Sequence, residues 1–512
     1  MNSKKILTLS ATLLMALTVA SCGNKKPDKP SSSTSAPTSE TSSSAAQGSS
    51  ETSEASSSAT TTVPGRNEEK SAWQLPDAGF DTEAPVTIKF YSTMGKNLLE
   101  KFDAYLEDFN AIYPNIEVVH SQPGSYDDVL DQIKTELSVS TPENPSGPDL
   151  AYCYSDHVAL YNKTKAVVKL DNLLYDPELG LTGDQYRDYI KGYLEEGRSF
   201  GDGLYYTMPW SKSTEILYYN KDVFTKEGLN VPTTWFGEND PNSMEYVCKK
   251  LKEKYPDSTP LGYDSESNWF ITMTEQLQTP YTSATGNHFL FNDPKNHDFL
   301  NKFKEWFEKG YVTTQQIYGS YTSGLFVSTD KANSFMSIGS SAGATHQIPT
   351  MVEGKYPFEV GMAEIPQANE NNKKVISQGP SVCVFNQGDP QKIMASWLLI
   401  KYFTTNVEFQ AEFSIASGYV PVIKSVSENE IYKTHIANAS KPLTEVDQKN
   451  RASAMAANIC IQQEENYFTS PAFVGSSTAR IQVGNALAQI LQGKATIEKA
   501  LADAVDACEA SL

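Results

Sequence analysis

An alternation of strand and helix patterns between residues 86 and 154 constrains the fold more than any other feature of the chain. Residues 86–91 read Val-Thr-Ile-Lys-Phe-Tyr, an alternating strand, and apolar residues then recur at helical spacing. A second strand follows at 116–119, then a helix pattern over 127–139 and a buried strand over 148–154. Because parallel strands need a crossover helix between them, this pattern predicts an α/β fold with a parallel sheet.

The stretch 202–235 contains two extended segments separated by a polar loop. Met208 precedes Pro209, which biases its backbone towards an extended conformation, and 216–219 is a short strand rich in β-formers. Between them, residues 210–215 hold an indole ring, three hydroxyls and a carboxylate. This mixture is typical of a polar ligand site, but a β-hairpin with one buried Trp explains it equally well.

A basic head followed by an apolar run gives residues 1–21 the pattern of a secretory signal peptide. Cys22 follows Val-Ala-Ser, which resembles a bacterial lipobox and predicts a lipid anchor on Cys22. A plain signal peptide with an incidental Cys is the alternative. Residues 22–72 are rich in Ser and Thr and poor in large apolar side chains, which predicts a disordered tether. We therefore expect a protein anchored by lipid on the outer face of the cell membrane.

Net charge and cysteine spacing exclude several classes of protein. The formal net charge of −20 is opposite in sign to the basic surface that nucleic-acid binding needs. The cysteines beyond Cys22 form no CxxC pair and the histidines form no HExxH motif, so we expect no metal site and no cofactor. Those cysteines are expected to be free thiols that pack as small apolar side chains. The chain beyond residue 72 is long enough for two lobes.

Several of these motifs resemble the family 1 extracellular solute-binding proteins, the ligand-capturing components of ABC importers for sugars and related solutes. The resemblance lies in Pro209, the segment 217–222, Gly228, Pro232 and Trp235, which match the region where that family's chain crosses between lobes. It implies a type II periplasmic-binding-protein-like fold, in which two α/β lobes are joined by a hinge of crossover strands. It also implies a small-molecule ligand held by hinge closure, docking on an ABC permease, and a monomeric protein.

On this resemblance, the two lobes divide the chain discontinuously. The N-terminal lobe takes residues 73–215 and 339–378, and the C-terminal lobe takes 216–338 and 379–512. The ligand is expected in the crevice beyond the carboxyl ends of the strands, in contact with both lobes.

Within the family, the chain resembles the glycerol-3-phosphate-binding subgroup, and this likeness implies a set of ligand contacts. The positions that match the subgroup's contacts are Tyr126, Ser155 or Asp156, Ser213 with Ser211 as its neighbour, Ser341, Gly379 and Tyr419. Of these, Tyr126, Asp156 and Ser341 are expected on the N-terminal lobe and Tyr419 on the C-terminal lobe. Ser213 and Gly379 are expected near the hinge, together with Trp210. Four aromatic side chains are expected to stack on sugar faces: Tyr154, Trp210, Trp269 and Tyr419.

The subgroup pairs the phosphate of its ligand with an Arg two residues before a Gly-Asn pair. In this chain the pair is Gly484-Asn485, and the matching position is Gln482. Arg480 lies two residues earlier and substitutes only if the local backbone shifts. Because a dianion without a bidentate cation binds weakly, a neutral sugar or oligosaccharide is expected ahead of glycerol-3-phosphate or a glycerophosphodiester.

A secreted hydrolase is the competing class of protein. Residues 339–343 read Gly-Ser-Ser-Ala-Gly after a strand pattern, which fits a nucleophile elbow with Ser341 as the nucleophile. His346 is too close in sequence to follow the intervening acid that a triad needs. The Glu pairs at 195–196 and 464–465 are neighbours that do not face each other on a helix, which predicts solvated helix faces rather than an acid/base dyad. We therefore expect no enzyme activity, and a surface adhesin is a third class.

Overall fold

The computed structural model describes residues 79–328 and 334–512. The predicted signal peptide, the predicted lipidation site Cys22 and the predicted tether lie outside the described residues. Within the described part of the chain, no helix combines the length and the apolar character that crossing a bilayer requires.

The strands of the described residues are short and are spread over almost the whole chain. They are β1 (Val86–Tyr91), β2 (Ile116–Ser121), β3 (Leu150–Cys153), β4 (Met208–Pro209), β5 (Ser213–Asn220), β6 (Leu261–Tyr263), β7 (Val312–Thr314), β8 (Met336–Ser340), β9 (Val360–Glu364), β10 (Val375–Gln378), β11 (Ser381–Val384) and β12 (Tyr467–Phe468).

The helices lie between the strands and account for most of the carboxyl-terminal third. They are α1 (Lys96–Ile112), α2 (Tyr126–Val139), α3 (Ser155–Tyr161), α4 (Asp171–Leu174), α5 (Gly183–Asp188), α6 (Lys191–Glu196), α7 (Lys221–Glu227), α8 (Met244–Lys254), α9 (Glu266–Leu277), α10 (His297–Glu308), α11 (Gln315–Tyr318), α12 (Ser323–Phe326), α13 (Pro390–Thr405), α14 (Val407–Ser417), α15 (Glu430–Ala437), α16 (Gln448–Gln462), α17 (Ser476–Leu491) and α18 (Ile497–Glu509).

The first sheet has the strand order β2-β1-β3-β11-β4. β1 runs parallel to both β2 and β3, which confirms the parallel units predicted between residues 86 and 154. β11 is antiparallel to its neighbours β3 and β4. Ile88 and Phe90 of β1 are completely buried, because α13 packs against this strand. The alternating pattern of β1 therefore marks a strand with one face in the core.

The second sheet has the strand order β12-β10-β5-β8-β6-β7, and β9 also pairs with β5. β6 is parallel to β7 and β8, whereas β5 is antiparallel to β8, β9 and β10. β5 is the longest strand and is buried along nearly its whole length. The two mixed sheets with their flanking helices confirm the predicted α/β class.

The strand pairing corrects the predicted division into lobes. Residues 339–378 were assigned to the N-terminal lobe, but β9 and β10 pair with β5 in the second sheet. Residues 379–512 were assigned to the C-terminal lobe, but β11 pairs in the first sheet and α13 packs on β1. The reason is a second crossover, which returns the chain to the first sheet directly after β10.

The five cysteines of the described residues are free and buried. They are Cys153, Cys248, Cys383, Cys460 and Cys508. This confirms the prediction that they pack as apolar side chains.

Candidate ligand-binding site

Two crossover segments lie side by side where the chain passes between the sheets. The first joins β4 to β5 and the second joins β10 to β11. Ser377 pairs with Thr214 on the second-sheet side, and Ser381 pairs with Pro209 on the first-sheet side. These segments are the structural equivalent of the predicted hinge.

Gly379 lies at the point where the two crossover segments are closest. Its φ of +92° belongs to the left-handed region, which side chains with a Cβ rarely adopt. A Cβ on this residue would lie 2.6 Å from the carbonyl oxygen of Ser211 and 2.8 Å from the Cα of Lys212. The predicted contact residue Gly379 is therefore required for close approach of two backbones.

A buried ion pair fastens the two crossover segments together. The Nζ of Lys212 lies 2.8 Å from the Oε2 of Glu196, and it also donates to the carbonyl oxygen of Gly379 and to the Oγ of Ser381. The hydroxyl of Ser377 donates to the same Glu196 oxygen at 3.2 Å. Lys212 is 0% exposed and Glu196 is 5% exposed. The predicted solvated position of Glu196 is therefore wrong, because a cation from the hinge neutralises it inside the protein.

A cavity of about 350 Å³ lies between the two sheets, next to the crossover segments. Residues of helices α3 and α17 line it, and these two helices contact each other. Three of the predicted contact residues line this cavity: Tyr154, Asp156 and Arg480. Further polar and aromatic lining residues are Asp127, Glu196, Tyr281, Thr282, Ser377, Gln378, Ser470 and Ser477.

A tyrosine cluster continues the cavity wall from Tyr154. The ring of Tyr126 lies 4.8 Å from the ring of Tyr154, and its hydroxyl is 3.5 Å from that of Tyr419. Burial raises the pKa of Tyr126 and of Tyr419, so both hydroxyls stay neutral at physiological pH. Neutral tyrosines offer hydroxyls that both donate and accept, beside flat apolar faces.

Arg480 is held in the cavity wall by a chain of buried polar groups. Its guanidinium donates to the Oδ1 of Asn268. The Nδ2 of Asn268 donates to Glu215 at 2.8 Å, and the hydroxyl of Tyr263 donates to the same carboxylate at 2.6 Å. Arg480 thus reaches the cavity, whereas Gln482 is not among its lining residues.

The pH dependence of stability should carry a contribution from Glu215. Burial raises the pKa of its carboxyl to about 7, and nearby Asp264 adds to this, whereas Tyr263, Asn268 and Arg480 oppose it. Between pH 4.5 and 7 the unfolded chain has lost this proton and the folded protein retains it, so the free energy of unfolding falls as pH rises. Relative to wild type, Glu215→Gln should gain on the order of 2 kcal/mol between pH 5 and pH 8 in urea titrations. A difference that is the same at both pH values would contradict this assignment.

Two of the predicted sugar-stacking residues lie in the core. Trp210 is 0% exposed, and its ring stacks 5.4 Å from that of Phe403. Trp269 is also 0% exposed, and its ring lies 3.7 Å from that of Phe303 and 5.0 Å from that of Tyr263. Their faces are covered by other aromatic rings, which corrects the expectation that they stack on a ligand.

The predicted serine contacts are buried in the hinge and do not line the cavity. Ser211, Ser213 and Ser341 are each at most 2% exposed. The Oγ of Ser341 accepts a hydrogen bond from the backbone N–H of Thr214 at 3.1 Å, which joins the segment after β8 to β5. A nucleophile elbow presents its serine hydroxyl at an exposed turn, whereas this hydroxyl is buried and bonded to the backbone.

Two predicted ligand contacts lie on the opposite lobe from the one expected. Ser341 follows β8 and therefore belongs to the second-sheet side, although it was expected on the N-terminal lobe. Tyr419 precedes Val420, which pairs with Lys212, and α14 before it packs on α1. It therefore lies on the first-sheet side with Tyr126, although it was expected on the C-terminal lobe.

Sequence reasoning missed Tyr281, Ser377, Ser470 and Ser477 in the cavity lining. A signal was present for Ser477, because Ser-Ser-Thr at 476–478 begins α17 and hydroxyl residues are frequent at helix starts. Tyr281 lies in a loop after α9. Apart from Thr282, the other lining residues are far from it in sequence, so no local sequence motif marked it as a site residue.

A family model described as bacterial extracellular solute-binding protein matches residues 104–440. The chain belongs to this family. The sn-glycerol-3-phosphate-binding periplasmic protein UgpB of Escherichia coli K12 is 23% identical over 452 residues, which cover 83% of this solute-binding protein and 92% of UgpB.

Solved structures of binding proteins share the fold of this solute-binding protein. The cyclic alpha-maltosyl-1,6-maltose binding protein of Arthrobacter globiformis superposes with a TM-score of 0.62 at 18% identity, over 84% of this chain and 99% of that protein. UgpB of Mycobacterium tuberculosis in complex with glycerophosphocholine gives a TM-score of 0.62 at 17% identity, over 83% and 98%. These likenesses confirm the predicted periplasmic-binding-protein-like fold.

Proposed function

We propose that this solute-binding protein captures a neutral sugar or oligosaccharide for an ABC importer, holding it in the cavity between the two sheets. The observation that carries this proposal is the chemistry of the cavity wall, where tyrosine, serine and threonine side chains predominate. Its charged groups are the carboxylates of Asp127, Asp156 and Glu196 and the guanidinium of Arg480. With Glu196 paired to Lys212, the carboxylates of Asp127 and Asp156 still outnumber the guanidinium of Arg480, which disfavours a dianion. A neutral polyol donates to the carboxylates and accepts from the guanidinium without such repulsion.

Binding is proposed to proceed by closure about the paired crossover segments. The lining comes from both sides of the cavity, with Asp156 on the first-sheet side and Arg480 on the second-sheet side. A ligand shifts the equilibrium towards a closed form only through extra contacts made in that form, so it must touch both sides. In this proposal the closed protein docks as a monomer on permease subunits, and a diacylated Cys22 holds it at the membrane.

No catalytic step is part of this proposal. Ser341 is buried, and its Oγ accepts a hydrogen bond from the backbone of β5. Absence of nitrophenyl ester and glycoside hydrolysis is the expected result, and hydrolysis abolished by Ser341→Ala would refute it.

Glycerol-3-phosphate or a glycerophosphodiester is the second candidate ligand. Arg480 lies one turn inside α17, and Ser477 from the first turn of the same helix lines the same cavity. The names of the two UgpB proteins point to the same ligand class. This candidate needs Arg480 to exchange its bond to Asn268 for the phosphate.

A thermal-shift screen with the purified protein tests the proposal. Ligands are mono- to tetrasaccharides, glycerol-3-phosphate and glycerophosphocholine, and a ligand at about 100 times its Kd should stabilise by about 2.7 kcal/mol. Tyr154→Ala should weaken saccharide binding about tenfold, because it removes a ring face from the wall. Tyr246→Ala, in α8 away from the cavity, is the matched control and should leave affinity unchanged. Stabilisation by glycerol-3-phosphate alone, lost in Arg480→Gln, would replace the proposal with the second candidate.

A further inference from the structure

A second concavity, which we call the outer groove, opens beside the cavity on the second-sheet side. It has a volume of about 420 Å³ and is formed by the start of α9, by α11 with the turn after it, and by the second and third turns of α17. Arg480 and Ile481 line both the outer groove and the cavity. These two side chains therefore lie between the two spaces, and each space has the size of a small-molecule site.

The lining of the outer groove is polar, and its charged side chains are one carboxylate, Glu266, and one guanidinium, Arg480. Ser267, Gln315, Ser320 and Asn485 present hydroxyls and amides, which donate and accept hydrogen bonds as the hydroxyls of a polyol do. The carboxylate of Glu266 is already engaged, because its Oε1 accepts from a backbone N–H of α11 at 2.8 Å. Arg480 is likewise engaged by Asn268.

Two exposed tyrosines lie next in sequence to lining residues of the outer groove. Tyr318 is 43% exposed and Tyr321 is 64% exposed, and they enclose the lining residues Gly319 and Ser320 in the sequence. They are the only aromatic residues among the exposed large apolar side chains of the described residues.

We infer that the outer groove is a binding subsite for the distal sugar units of an oligosaccharide whose other end occupies the cavity. A pyranose ring has hydroxyl groups at its edges and apolar faces. The hydroxyls and amides of the outer groove hydrogen-bond to such edges, and exposed tyrosine rings stack on such faces. The inference rests on the proposed sugar-binding function, and it adds that the ligand is longer than the cavity. Glycerol-3-phosphate is too short to use both spaces.

The test measures affinity against ligand length by isothermal titration calorimetry. The probes are homologous oligosaccharides of two to six units, taken from each glucan series that shifts the melting temperature, and glycerophosphocholine. Affinity should rise at least about tenfold from the disaccharide to the longest oligomer that fits, since each aromatic contact and its hydrogen bonds add to binding.

Variants locate that gain in the outer groove. Ser320→Trp fills the groove from an exposed position and should remove the gain, while the disaccharide binds as in wild type. Ser138→Trp, at an exposed site in the last turn of α2, is the matched control and should retain the gain. Tyr321→Ala should reduce the rise in affinity with ligand length about threefold to tenfold, because a ring face is lost. This variant replaces Ser320→Trp in the test if Ser320→Trp is unstable.

The outcomes separate this inference from the proposed function. Saccharide binding that is independent of length, or a length gain that survives both Ser320→Trp and Tyr321→Ala, would refute the subsite and leave the proposed function intact. Binding of glycerophosphocholine without any saccharide would refute both.

Discussion

Replacing Lys212 by Met is expected to lower the free energy of unfolding by about 3–5 kcal/mol, the typical result of removing one partner of a buried ion pair. The change leaves the carboxylate of Glu196 without its cation in a site that is 5% exposed. It also removes the bonds from Nζ to Gly379 and Ser381, which tie the second crossover to the first. Urea unfolding followed by circular dichroism measures the loss.

A double variant and a surface variant serve as controls for Lys212→Met. Lys212→Met/Glu196→Gln should recover most of the stability, because it removes the uncompensated charge. Lys249→Met breaks an ion pair of similar length, 2.7 Å to Glu238, at the solvent-exposed surface and should change stability little. A loss of similar size for Lys249→Met and Lys212→Met would show that burial of the pair is unimportant.

Replacing Gly379 by Ala is expected to destabilise the protein by about 3–5 kcal/mol and to weaken ligand binding strongly, because backbone strain and steric overlap add. The residue has a φ of +92°, and the new Cβ would meet backbone atoms of Ser211 and Lys212 at 2.6 and 2.8 Å. Backbone atoms cannot rotate away as a side chain does, so the two crossover segments must separate. Urea unfolding and calorimetric titration with the ligand found in the screen measure both effects.

Gly388→Ala separates strain from overlap. Gly388 has a φ of +82°, and a Cβ there would meet no atom within 4 Å. It should therefore lose only the backbone contribution, about 1–2 kcal/mol, and keep full ligand affinity. Equal losses for the two variants would mean that the close approach at Gly379 does not matter.

These two variants act on the same feature, which is the union of the two crossover segments. Lys212 belongs to the first segment and binds two residues of the second, and Glu196 reaches it from α6 of the first-sheet side. Glu196 and Ser377 also line the cavity. A ligand that bonds to Glu196 therefore contacts one partner of the ion pair that joins the two crossover segments. Ligand binding and the hinge would then share this carboxylate.

Local sequence patterns determined the class of fold and the position of the first crossover. Apolar residues alternate in β1 and recur at helical spacing in α1, so each element has one apolar face that must pack in a core. This follows from the local sequence and does not depend on distant segments. Pro209 and the strand after it mark the passage between sheets, because proline and β-formers restrict the backbone locally. The spacing of the cysteines, which form no CxxC pair, likewise predicted that they are free thiols.

Only the tertiary structure decided the site. Trp210 and Trp269 are of a residue type that stacks on sugars, but aromatic rings from elements distant in sequence cover their faces. Glu196 has the neighbours of a surface residue, but Lys212 neutralises it across the hinge. Arg480 reaches the cavity from a position that the local motif does not predict, because Asn268 and Glu215 hold it there. Periodicity reports which face of an element is apolar, whereas burial, ion pairing and cavity lining depend on which distant segment arrives opposite each side chain.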